Sequence, residues 1–476
     1  MKKIIVIYDD SRKPNQEIRN ITGKKSFGNT IFKRVSLKDR MEESLLKQQP
    51  VLLFLETEAL KGPRELSGSD ARQVIFRLFS DFGIGEDSSL AMLLEKACYV
   101  NENYRVVCDG RTAAVIYTDY GQYLEAQDEQ TAEGFEKIET DAFVDLSNVN
   151  RFRQFITSGF DARFFNALSG DDYTVVKRSN NAAKLRAEYE FYALLPDEMK
   201  MWFVMPFDFK EEAGSASYTM QRYHMTDLAI RYVHGAITEE EFQGILEKLF
   251  HFIRTRKQRQ VSVQEYEQAA RELYIDKVES RIERLKGLPQ FDSIEALLKT
   301  GTTYNGIGAV LEKYKQLYEK ITSGRHFQPV LVAGHGDLCF SNILYGREAS
   351  LLKLIDPKGA TDEASLYMNP YYDLAKLSHS ICGSYDYFNS GLFEIALDEH
   401  MRFQLTVDCD NERYIRIFQE YLQNNGLDYR LIRLYEASLF LSMLPLHIDG
   451  EKKVFAFLLN ALKILEELEG NECLKE

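Results

Sequence analysis

Apolar positions are spaced differently in three stretches of the chain, and each spacing predicts a different architecture. In residues 1–145, Lys3–Tyr8, Val51–Leu55 and Ala113–Tyr117 are continuous apolar runs of strand length, as expected of strands buried on both faces. Helical spacing is read over Ala71–Phe82 and Leu90–Ala97. This alternation predicts an α/β domain. Glu125–Glu139 is acidic and polar and reads as a linker or a solvated helix. The turn Asp9–Pro14 leaves the first strand where nucleotide-binding folds often hold ligand. Without a Gly-rich loop, metal-ligand spacing or catalytic triad in this domain, it reads as an ordinary strand exit.

Residues 146–226 carry short alternating segments around one helix. Tyr173–Lys177, Trp202–Phe209 and Ala216–Met220 are expected strands, and Ala182–Leu195 is a helix stopped by Pro196. Residues 227–476 are expected to be mostly helical, over Phe242–Arg254, Ser262–Leu285, Gly308–Ile321, Glu412–Asn424, Tyr429–Leu446 and Val454–Leu468. One interruption stands out. Asn342–Tyr345 and Leu351–Ile355 are strand-like runs flanking the turn segment Gly346–Ser350, which is a hairpin signal.

Length and charge narrow the function. The 476 residues suggest roughly three compact units. A net charge of −14 argues against a nucleic-acid partner, which needs a basic face, but leaves room for an anionic ligand held locally. The six cysteines include no C-x-x-C pair, so reduced thiols in a cytoplasmic protein are expected. The N-terminal apolar run is too short for a signal peptide, and no run approaches the roughly 18 residues that span a bilayer. A soluble protein with no membrane partner is expected, and the oligomeric state is left open.

The candidate chemistry sits at the ends of the hairpin. His335 and Asp337 precede it, Asn342 opens its first strand and Asp356 closes its second. A hairpin joins its own ends, so Asn342 and Asp356 should be neighbours with Asp337 beside them. Buried carboxylates are costly unless paired or bound to metal. Two carboxylates and an amide oxygen suit Mg²⁺, with water and phosphate completing its octahedron. Phosphoryl transfer needs such a set: one Asp to take the acceptor's proton, an Asn and a second Asp to hold metal.

HGDLCFSN (335–342), LIDPKG (354–359) and YYDLAKL (371–377) resemble the aminoglycoside phosphotransferase/choline kinase family over roughly residues 150–476. A less specific likeness is to kinase-like proteins linked to surface-polysaccharide biosynthesis. The resemblance implies an α+β, protein-kinase-like two-lobed fold: a small β-rich lobe at 146–226 and a large helical lobe at 227–476, preceded by the 1–145 domain. It implies that Asp337 is the catalytic base, that His335 shapes the catalytic loop, and that Asn342 and Asp356 bind Mg²⁺. Asp373 becomes a supporting residue, hydrogen-bonded but not reacting. Lys177, ending the strand YTVVK, is the expected contact to the α/β-phosphates of ATP (GTP is the alternative). Glu188 is its expected partner, since Glu190 points about 200° away around the helix. Ser158, Gly159 and Arg163 occupy the place of the phosphate-covering hairpin, and Gln221 and Tyr223 the hinge that meets adenine.

Two departures from the family stand out, the first bearing on acceptor contacts and the second arguing against a switching activation segment. Met368-Asn369 precede Pro370 where the family often has an acidic residue, and Pro357-Lys358-Gly359 follows Asp356 without the aromatic of protein kinases. The expected activity is transfer of phosphate from a nucleotide to a hydroxyl of a small molecule: a sugar, an amino sugar or a choline-like alcohol. The rival reading is a kinase-like binding or scaffolding protein without turnover, with 1–145 a degenerate nucleotidyltransferase-like module. A protein kinase is the weakest reading. The aromatic strips Tyr367–Tyr372 and Tyr385–Phe388 read as acceptor pocket or plain core, Cys339 as a small apolar filler, and the basic run Arg254–Arg259 as a solvated helix face.

Overall fold

A computed structural model describes residues 2–32, 34–57, 73–85, 87–158, 166–212, 214–448 and 450–470. Chain contacts separate two units. One is Met1–Asp161 with His234–Ala236, and the other is Ala162–Val233 with Ile237–Glu476. The helix Val149–Ser158 therefore falls with the first unit rather than after a boundary at 145. Its Phe152 is fully buried and packs edge-on against Phe27. Among the described residues, no helix is long and apolar enough to cross a membrane.

The first unit is built on a six-stranded sheet in the order Val51–Glu56, Lys3–Asp9, Gln73–Phe79, Arg111–Tyr117, Tyr104–Cys108, Glu136–Glu139. The first three strands are parallel to one another, and Arg111–Tyr117 is antiparallel to both its neighbours. The helix expected over Ala71–Phe82 is not formed. Gln73–Phe79 is instead a central strand and Phe82–Ile84 a second short strand. The sequence QVIFRLF is rich in β-branched and aromatic residues, and in so short an apolar run a two-sided strand mimics helical spacing. Glu136–Glu139, expected within a linker or helix, is an edge strand. At the exit of Lys3–Asp9, Asp9 pairs with Arg77 at 2.5 Å, and Arg12 pairs with Asp81 at 3.0 Å. These bonds tie the exit to the neighbouring strand.

The second unit opens with a four-stranded antiparallel sheet, ordered Asn166–Gly170, Thr174–Ser179, Ser215–Gln221, Pro206–Glu212. The helix Ala182–Leu194, capped by Asn181, covers it by packing Leu185 against Ala216 and Tyr218. Strand alternation turns Lys177 and Ser179 inward and Arg178 out to solvent. The rest is largely helical. Helices Lys277–Lys286, Tyr372–Ile381, Tyr429–Met443 and Glu451–Gly470 share an apolar core that includes Tyr274, Tyr314, Tyr435 and Phe440.

Two small sheets position the loop between them. One joins Gln258–Gln260, Val330–Ala333 and Tyr367–Met368. The other joins Thr226–Asp227 to the hairpin Ile343–Gly346/Leu351–Leu354. The helix expected over Ser262–Leu285 forms, with a π-helical stretch Glu272–Asp276 between Val263–Arg271 and Lys277–Lys286. A second hairpin, Phe393–Leu397/Phe403–Val407, lies inside the stretch expected to be helical.

Candidate active site

The loop His335–Asn342 leaves the strand Val330–Ala333 and runs through a short 3-10 turn, Phe340–Asn342, into the hairpin. Gly336 makes its bend possible. Its φ is +79°, and a Cβ there would lie 2.6 Å from the Lys358 Cβ. The backbone N–H groups of His335 and Gly336 donate to the Asp373 carboxylate at 3.0 and 2.8 Å. Asp373 also accepts from the Arg256 guanidinium at 2.9 Å. Arg256 is thus a buried residue, not part of a solvated face. Its remaining donors reach the carbonyls of Ile253 and Pro370. Burial pulls Arg256 below its ordinary pKa, and the Asp373 charge opposes that fall.

His335 is fully buried and joins the loop to the hairpin. Its Nδ1 accepts from the Asp337 N–H at 3.1 Å, so the opposite nitrogen, Nε2, donates to the Ile355 carbonyl at 2.9 Å. Its ring stacks on Phe203 at 5.8 Å. Burial lowers its pKa despite the nearby carboxylates, which agrees with an Nδ1 that accepts rather than donates.

The two carboxylate oxygens of Asp337 face different neighbours. Oδ2 accepts from the Asn342 amide at 3.2 Å, and Oδ1 pairs with Lys376 at 2.8 Å. Asn342 also donates to the Asp337 carbonyl at 2.8 Å, which commits its nitrogen and leaves its oxygen as an acceptor. The Ile355 N–H donates to the Asn342 carbonyl at 3.0 Å, which brings Asp356 next to Asn342. Asp356 has φ +55°, a left-handed conformation that Asp tolerates better than most residues.

The Lys177 ammonium lies 2.6 Å from Glu188 and 2.9 Å from Asp356. Burial alone would lower the lysine pKa, but the two carboxylates more than offset this and raise it. Tyr218 also donates to Glu188, whereas Glu190 points outward toward Arg186. Gly359 seals the joint. Its φ is +90°, and a Cβ there would lie 2.8 and 2.9 Å from backbone atoms of Ala187 and Glu188.

The structure therefore brings His335, Asp337, Asn342 and Asp356 together at the ends of one hairpin, with Lys177 and Glu188 joined to Asp356. Gln221 ends its strand in register with Thr174, and Tyr223 stands under the Lys353 ammonium. Among the described residues, neither side chain touches the loop. Ser158 ends a helix of the first unit, and Gly159 and Arg163, expected at the phosphates, lie outside the described residues. Tyr372, Tyr385, Tyr387 and Phe388 are core residues. Cys339 is buried and its thiol pKa is pushed up by burial, as suits a filler.

Sequence reading missed Lys376 and Arg256. Lys376 lies three residues beyond Asp373 on one helix, a spacing that puts both on neighbouring parts of one face. Arg256 gave no signal beyond a charge run.

Asn342 and Asp356 offer one amide oxygen and one carboxylate to a hard cation. Among the described residues, no three His, Cys, Asp or Glu side chains cluster as a metal site. The pair fits a cation whose other ligands are water and phosphate rather than a closed protein cage.

No protein-family model matches the chain, and no curated protein matches it. Solved structures do line up with it. A thermostable mutant of aminoglycoside phosphotransferase APH(4)-Ia, in its apo form, is 10% identical over 67% of this chain and 99% of its own, with a TM-score of 0.37. The aminoglycoside phosphotransferase APH(3'')-Id from Streptomyces rimosus, in complex with ADP and streptomycin, is 17% identical over 58% of this chain and 88% of its own, at 0.35. A putative fructosamine-3-kinase from Haemophilus somnus is 11% identical over 67% and 96%, at 0.38. Likenesses at these TM-scores are too loose to assign a role, and the chemistry below rests on side-chain geometry.

Proposed function

We propose that residues 162–476 form a kinase-like phosphotransferase that moves the γ-phosphate of ATP, or of GTP, onto a hydroxyl of a small molecule. The observation that carries this reading is the Lys177 ammonium bridging Glu188 and Asp356, with Asp356 one ladder bond from Asn342 and Asn342 bonded to Asp337. A structural ion pair does not need this chain of contacts, whereas phosphoryl transfer needs each part of it.

Lys177 holds the α- and β-phosphates, and Glu188 holds Lys177. Asn342 and Asp356 would hold magnesium, which would supply positive charge against the charge developing on the phosphates. Asp337 orients the acceptor hydroxyl and takes its proton. The acceptor oxygen forms a bond to the γ-phosphorus, the bond to the β–γ bridging oxygen breaks, ADP leaves, and the proton remains on Asp337. Lys376 pairs with that carboxylate and aims it. His335 and Asp373 are positioning residues that hold the loop's backbone.

The test is Asp337→Asn. It should bind Mg·ATP with an unchanged affinity and transfer phosphate about 10²–10⁴-fold more slowly. Transfer from radiolabelled ATP to sugars, polyols and amino alcohols reads the rate, and calorimetry reads the binding. Unimpaired transfer by this variant would remove the mechanism.

A further inference from the structure

Beyond the Lys376 that aims Asp337 lie two groups the transfer chemistry does not use, Tyr372 and Lys277. Tyr372 and Lys376 stand four residues apart on the helix Tyr372–Ile381 and therefore share a face. Lys376 touches Asp337, as described above. On the other side of Tyr372, the Lys277 ammonium donates to the phenol oxygen at 2.8 Å and lies 5.1 Å from the ring centroid. Tyr372 is buried and Lys277 half-buried.

Lys277 makes no ion pair among the described residues. The acids nearest it in sequence are engaged elsewhere, Asp276 with Arg271 and Glu279 with Lys315. Two ammonium groups thus accompany one phenol, and the one carboxylate among them pairs with Lys376 alone. A half-buried cation with only a neutral partner is costly until an anion reaches it. Burial would raise the Tyr372 phenol, yet Lys376 and Lys277 together hold it below its ordinary pKa. Lys277 also directly follows the π-turn Glu272–Asp276, which re-phases the helix just before this residue. Such turns are frequent at functional sites.

We propose that Lys277, Tyr372 and Lys376 form an anion subsite beside Asp337, and that the hydroxyl acceptor carries an acidic group, a phosphate or a carboxylate, bound there. The proposal rests on the phosphotransfer reading for the word acceptor, but the subsite can be measured without turnover.

The experiment uses the full chain saturated with magnesium and a non-hydrolysable ATP analogue. Calorimetry then compares glucose, glucosamine, glucuronate and glucose 6-phosphate, with inorganic phosphate as a probe that needs no sugar skeleton. At least one anionic probe should bind about tenfold or more tightly than the neutral and amino sugars, the worth of a hydrogen bond to a charged group. The carboxylate and phosphate arms tell the two acids apart. Lys277→Met should erase that margin and Lys277→Arg should keep most of it, with both variants melting within a few degrees of the parent. Equal or tighter binding of glucosamine, a margin that survives in Lys277→Met, or no Lys277-dependent binding of any anion overturns the subsite. Failure of the nucleotide analogue to bind sinks the phosphotransfer reading instead, and anion binding by the nucleotide-free chain then decides the subsite alone.

Discussion

Arg256 and Asp373 stand 117 residues apart in sequence, yet their side chains meet at 2.9 Å with almost no exposure to solvent. Asp373 spends its other bonds on the backbone of His335 and Gly336, so the ion pair anchors the loop that carries Asp337. Arg256→Met leaves the Asp373 charge buried without its partner. The expected loss is about 3–5 kcal/mol of stability, read by chemical denaturation. Arg256→Met combined with Asp373→Asn should be less damaging than the two losses added, because the stranded charge is gone. Strict additivity would mean that the pair is not the anchor.

Gly359 and Gly426 both hold positive φ, at +90° and +67°, but only Gly359 has backbone pressed against it. Gly426→Ala should cost only the left-handed strain of about 1–2 kcal/mol. Gly359→Ala carries the same strain and also pushes on Ala187 and Glu188. It should melt lower than Gly426→Ala and weaken nucleotide binding as well. Equal melting temperatures would show that the joint tolerates the methyl group.

Lys177 and Glu188 are buried together, so their energies should be coupled. Glu188→Gln and Lys177→Met are each expected to weaken Mg·ATP binding. The double variant should depart from additivity by about 0.5–3 kcal/mol. Titration of the four proteins with Mg·ATP checks this, and a coupling energy near zero would detach Glu188 from the nucleotide site.

Asp386 is buried and its Oδ2 has no hydrogen-bond partner among the described residues. Burial raises its pKa from 3.8 to about 7. A carboxyl raised in the folded state costs nothing below the unfolded value, and its penalty grows as pH climbs from about 4 to about 7 and then levels off. Asp386→Asn removes that term. Its melting temperature relative to the parent should therefore rise between pH 4.5 and 7.5 and stay level above. A difference that does not change with pH would mean that the group is ionised in the fold.

Much of the site's geometry was legible because it is local. His335, Asp337, Asn342 and Asp356 lie within 22 consecutive residues, and the turn Gly346–Ser350 sets a register that joins their ends. Glu188 could be preferred over Glu190 because helix geometry alone separates their directions. The strand Gln73–Phe79 was not legible, since a short apolar run satisfies both a helical face and a two-sided strand until its neighbours are known. The hairpin Phe393–Leu397/Phe403–Val407 was missed inside a stretch expected to be helical, although its residues alternate in exposure.

What the sequence by itself determined is the order of the candidate groups and the turn that brings them together, because both depend on spacing along a few residues. The tertiary structure alone decided which distant charges stabilise that turn. Arg256 beneath Asp373, Lys376 on Asp337 and Lys277 on Tyr372 depend on how helices pack, and Gly359 matters only because another helix lies against it. The physical reason is one of range. A hydrogen bond within a turn follows from the backbone angles of its own residues, whereas a buried ion pair between separate elements exists only once the core has set their distance.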